Sequence, residues 1–167
     1  MFIPFEELNA QSRVWIYTGS RALTEAEGKL AEQMLHSFCE QWSAHGQPLQ
    51  TSFKIEKNQF IAMALDENFE SPSGCSIDSS VDVLRKIQIA TGVEFLDRSK
   101  IPFLLNDSVE LIPLSELKAR FSNTQLTSES LVINSLAATK GEWKGSMIIP
   151  AKKSWLVKYL PKTALTS

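Results

Sequence analysis

The chain is short of the residues that carry most enzymatic chemistry, with only two cysteines, two histidines and two tyrosines. Cys39, Cys75, His36 and His45 add up to four zinc donors, yet only His36 and Cys39 lie close in sequence, and structural zinc sites are built from close pairs. No metal site and no cofactor are expected. Asp66, Glu67 and Glu70 with Asp78 form an acidic cluster, which reads as a solvated loop. Long apolar runs are absent too. No window approaches the roughly 20 apolar residues of a membrane span, and Met1 to Glu7 shows no basic stretch leading into an apolar one. Nor does one sign of charge dominate. Seventeen Lys and Arg face nineteen Asp and Glu, and no basic run is longer than Lys152-Lys153. Such a balance pulls weakly on a phosphate backbone, so neither nucleic acid nor a membrane is an expected partner. In a chain without an export signal, the thiols are expected to be free and the protein cytoplasmic.

What is present suits a globular chain. Hydrophobic residues make up 43% and charged residues 22%, which excludes a disordered or coiled-coil chain. Arg13 to Tyr17, ended by Gly19-Ser20, reads as a strand. Thr24 and Glu27 form a capping box for a helix whose Leu30, Met34, Leu35, Phe38 and Trp42 recur at three- and four-residue steps, until Gly46 and Pro48 stop it. Leu49 to Glu56 and Gln59 to Leu65 read as a hairpin around Lys57-Asn58. A second helix follows with Ile77, Val81, Leu84, Ile87 and Ile89 or Ala90 on its apolar side, ending at Gly92, and Ile101 to Leu105 reads as a fourth strand. This order matches an α+β fold with a ferredoxin-like split βαβ core, an antiparallel sheet with two helices on one face, over residues 1–112. Residues 113–167 are expected to form a small α+β C-terminal subdomain. Its parts are a hairpin partner at Val109 to Ile112 after the Asn106-Asp107 turn, a short helix at Leu114 to Phe121, a strand at Ser130 to Ile133, and a C-terminal helix at Ala151 to Leu160 led by Pro150. Asn134 to Ser146 is the least patterned interval and reads as a loop.

The densest chemistry lies in Ser71 to Ser80, a Ser-rich loop feeding a helix start that carries Cys75. Free N–H groups and the positive end of the helix dipole at such a start bind anions or lower a thiol pKa. Ser73, Gly74, Cys75 and Ser76 are therefore candidate ligand-binding residues, with Asp78, Ser79 and Ser80 read as caps or first-turn groups. His45, expected at the exit of the first helix, is the candidate base for a Cys75 nucleophile, and a helix cap is its structural alternative. Trp15 is expected in the core, while Trp42, Trp143 and Trp155, near helix ends or irregular segments, are candidates for partly exposed rings at an interface or pocket, with a ring covering the core rim as the structural alternative.

Phe2-Ile3-Pro4-Phe5-Glu6-Glu7-Leu8, Arg13-Val14-Trp15-Ile16-Tyr17, Trp42-Ser43-Ala44-His45-Gly46, Ser73-Gly74-Cys75-Ser76-Ile77-Asp78 and Ser154-Trp155 together resemble a family of uncharacterised bacterial proteins of similar length, often labelled "ABC transporter ATPase". The resemblance spans nearly the whole chain and implies a shared fold and a shared site around Trp42, His45 and Cys75. The label implies Walker motifs, and the residues contain none: Gly28-Lys29 is followed by Leu30 and lies within the first helix. An ABC-type ATPase is not expected. Pro113 to Lys118 and Leu126 to Val132 are similar, over a short span, to GYF-type adaptor modules that bind peptides. The expected function is non-enzymatic binding of a small anionic ligand or protein partner, with a homodimer compatible. The alternative is a thiol-dependent enzyme or redox sensor using Cys75.

Overall fold

The computed structural model describes residues 1–68 and 74–162, apart from the side chains of Cys75 and Ser76. Arg13–Thr18 forms β1, where β-branched and aromatic side chains suit a pleated surface. Gly19 follows because a Cβ there would lie 2.9 Å from the Gln59 carbonyl oxygen and 3.0 Å from the Phe95 ring. α1 (Glu25–Gln41) starts with the predicted capping box: Glu27 N–H donates to Thr24 Oγ1 at 3.2 Å, and Thr24 N–H donates to Glu27 Oε1 at 2.8 Å. The helix ends at Gln41, ahead of the predicted stop at Gly46 and Pro48. Ser43–Ala44 (β2) and Gln47–Pro48 (β3) instead fold back on each other, with His45 at φ 53° and Gly46 at φ 74° as the turn residues. Positive φ at both central positions is the mark of a type I′ turn, which cannot continue a right-handed helix.

β4 (Gln50–Glu56) and β5 (Phe60–Asp66) form the predicted hairpin. Lys57 and Asn58, at φ 53° and 54°, make its type I′ turn, closed by Gln59 N–H donating to Glu56 O at 3.0 Å. β5 pairs antiparallel with β1 and β4, giving the order β1-β5-β4, and all of its residues are buried. A strand buried on both faces accounts for its unbroken apolar run. Both helices pack on one face. α2 (Gly74–Thr91) ends at Gly92, φ 76°, and with α1 it closes a core that includes Leu35, Leu49, Ile61, Met63, Leu65, Leu84 and Ile87. Leu84 and Ile87 occupy this core as expected, whereas Ile89, at 85% exposed, and the exposed Ala90 do not.

β6 (Lys100–Leu105) and β7 (Ser108–Pro113) are joined by the Asn106-Asp107 turn, at φ 50° and 62°. A 3-10 turn at Leu114–Glu116 leads into α3 (Leu117–Ser122), and β8 (Leu131–Ile133) pairs with β6. Asn134 to Ser146, read as a loop, contains α4 (Lys140–Gly145), after which β9 (Ile148–Pro150) completes a sheet of order β7-β6-β8-β9. No α-helix forms over Ala151 to Leu160. Two 3-10 segments, Ala151–Lys153 and Trp155–Tyr159, take its place, because Ser154 between them is extended (φ −112°, ψ 176°) and its Oγ accepts from Leu156 N–H.

The architecture is thus mixed α and β with antiparallel sheets. The predicted fourth strand forms as β6, but in the second sheet. The β1 edge is met instead by the segment before α4: Val14 N–H donates to Ala138 O at 3.0 Å, and Arg13 bridges Thr139. The far edge, on β4, is covered by Phe2, which bridges Thr51 in parallel. The chain divides into two compact units, Met1–Asp97 with Leu136–Gly145, and Arg98–Ser135 with Ser146–Ser167. The cut falls after Asp97 instead of at 112/113, since the β6–β7 hairpin pairs with β8. Within the first unit, Lys140 Nζ donates to Glu6 O at 3.0 Å and Leu8 O at 2.6 Å, tying α4 to the 3-10 turn Phe5–Glu7. Burial pushes this ammonium pKa down, with Lys144 adding to the effect. Among the described residues, no helix is long and apolar enough to cross a membrane.

Candidate functional site

The predicted anion site is only partly described. Ser73, and the side chains of Cys75 and Ser76, lie outside the described residues. Gly74 is the first residue of α2 and is exposed, and a Cβ there would meet nothing within 4 Å, so its backbone is not pressed against a neighbour. Because the helix already starts at Gly74, Asp78 and Ser79 lie beyond the capping positions. Ser80 is buried, with its Oγ donating to Ile77 O at 2.6 Å.

Trp42 caps the C-terminus of α1 and is buried, with ring centroids 5.0 Å from Phe38 and 6.2 Å from Trp15. It is a core residue and not a partly exposed ring. Trp143 is buried as well, and Trp155 is half-buried. His45 sits exposed on the β2–β3 turn and not at a helix exit. β2 lies beside α2, so the hairpin carrying His45 and the helix starting at Gly74 are neighbouring elements of the first unit. Cys39 is buried in α1, and burial pushes its thiol up to about 12, leaving it without nucleophilic character at neutral pH. Among the described residues, no group of three or more His, Cys, Asp and Glu could hold a metal ion.

A groove of about 520 Å³ lies between α1 and α2. Leu30, Met34 and Phe38 line its α1 side at four-residue spacing, and Val83 lies at its base from α2. Leu30 is 39% exposed and Met34 and Phe38 are half-buried, whereas Ala31, Leu35 and Cys39 on the same helix are fully buried. α1 therefore carries two adjacent apolar stripes, of which the sheet and α2 cover one. Gln33, Ser37, Gln41 and Ser79 give the groove a neutral polar rim, to which α2 adds Asp82 and Lys86. Asp82 is already engaged, accepting from Arg85 at 2.8 Å. The groove has walls for an apolar group and polar atoms for orientation.

In the sequence, Leu30, Met34, Leu35 and Phe38 recur together as one apolar arc of the first helix. The signal for the groove was the width of that apolar arc, which exceeds what one packed face buries. The chain matches no protein-family model, no curated protein and no solved structure.

Proposed function

We propose that this protein is a non-enzymatic binding protein whose α1–α2 groove takes an apolar group of a ligand or partner. The observation that carries the reading is the stripe Leu30, Met34 and Phe38, left partly exposed beside a fully buried stripe on the same helix. α2, whose N-terminus carries the positive end of the helix dipole, lines one side of the groove, which suits a ligand bearing an acidic group. In the same reading, the first unit is a ferredoxin-like core reduced to the strand order β1-β5-β4, and the protein works in the cytoplasm.

The amphiphilic probe 8-anilinonaphthalene-1-sulfonate tests this. Its fluorescence is expected to rise saturably with the native protein and with Ile89→Glu, which alters an exposed residue outside the groove, and to lose most of that rise with Leu30→Glu. No rise with the native protein, or an equal rise with Leu30→Glu, contradicts the reading.

A further inference from the structure

The second unit carries a surface of different character. From Trp143 to Ser167 the chain has five lysines and no acidic residue, leaving twelve basic against nineteen acidic residues before it. Four of the five, Lys152, Lys153, Lys158 and Lys162, follow β9 on and just beyond the two 3-10 segments. Those segments pack on each other, and α3 packs against the second. Among the described residues, Lys152 is the one of the four paired with a carboxylate, that of Glu129. Lys153 is exposed.

Lys158 is placed by the local geometry. In a 3-10 turn residues three apart eclipse, which sets Lys158 over Trp155. Its Nζ lies 5.5 Å from the Trp155 ring centroid and 5.3 Å from that of Tyr159, and the two rings meet edge to face at 6.1 Å. The rings hold the ammonium in place without neutralising it. Both are half-buried and pack against the core of the second unit, so the anchored charge rides on a firm base.

We propose that this surface, centred on Lys153 and Lys158, docks an extended acidic segment of a partner protein. The occupant follows from charge complementarity and from the rings. Single-stranded nucleic acid would need free aromatic faces on which to stack bases, and here the Lys158 ammonium lies over both rings. Carboxylates need only the ammonium groups, and Lys153 and Lys158 are both exposed. The surface is independent of the groove in the first unit.

Fluorescence polarisation of labelled deca-glutamate with the full chain tests it. Binding is expected, weakening as salt rises. Lys153→Glu with Lys158→Glu is expected to weaken it by about tenfold or more, as loss of complementary rim charge does. Lys158→Arg is expected to retain it, and Lys29→Glu, on α1, to leave it unchanged. Circular dichroism confirms that each variant is folded. Absence of deca-glutamate binding, or equal binding by the doubly reversed variant, overturns the proposal. So does tighter binding of deca-thymidylate or of phosphatidylserine vesicles, which would make the surface a phosphate reader.

Discussion

Glu6 shows how a single side chain couples this fold to pH. Its carboxylate accepts hydrogen bonds from Lys144 and Lys54, which lower its pKa from 4.5 to about 2. Glu27 is lowered to the same value by Arg21 and by the Thr24 N–H of the capping box. In both cases the folded chain favours the ionised form. The stabilisation is therefore present above about pH 4.5 and is lost as the pH falls towards 2. Glu6 is exposed and Glu27 half-buried, so salt screens the Glu6 cluster more. Urea midpoints measured from pH 5 down to pH 2 are expected to fall less steeply for the Glu6→Gln, Glu27→Gln double variant than for the native chain, and an identical fall would contradict this assignment. The Glu27 pair was legible in the sequence because a capping box is local. The Glu6 cluster was not, since it depends on β4 and α4 converging on a turn near the start of the chain.

Among the elements, the hairpin turns decide most of the local outcome. Asn106 and Asp107 both adopt positive φ, a region that costs every residue except glycine a steric penalty. Asp107→Gly is expected to relieve it and stabilise the chain by about 0.5–1 kcal/mol, with part of the gain offset by the greater freedom of glycine in the unfolded chain. The urea midpoint checks this, and a lower midpoint would show that Asp107 makes a compensating contact. Lys57-Asn58 and Asn106-Asp107 were readable as turns because they separate clear strand runs. His45-Gly46 was not, since apolar spacing that continues to Trp42 hides the helix end at Gln41. The C-terminal segment misled for the converse reason. Pro150 and the apolar positions fit a helix start, but Ser154 is extended, caps Trp155–Tyr159 and splits the segment into two short 3-10 turns.

For the whole molecule, strand existence was legible and sheet membership was not. The short apolar run Ile101 to Leu105 marks a strand. It says nothing of whether that strand joins β1 or pairs with β7 and β8, a choice that rests on residues 136–145 meeting the β1 edge. The same distant segment gives Trp143 its burial, which local pattern left open. The groove was half legible: the apolar arc of α1 was visible, but which of its stripes packs depends on where α2 lies. The claim that the uncovered stripe is the binding surface is tested most directly by hydrogen–deuterium exchange with and without 8-anilinonaphthalene-1-sulfonate. Added protection is expected over residues 30–41 of α1 and 79–86 of α2, and to vanish in Leu30→Glu. Protection elsewhere in the chain with these two stretches unchanged would contradict it.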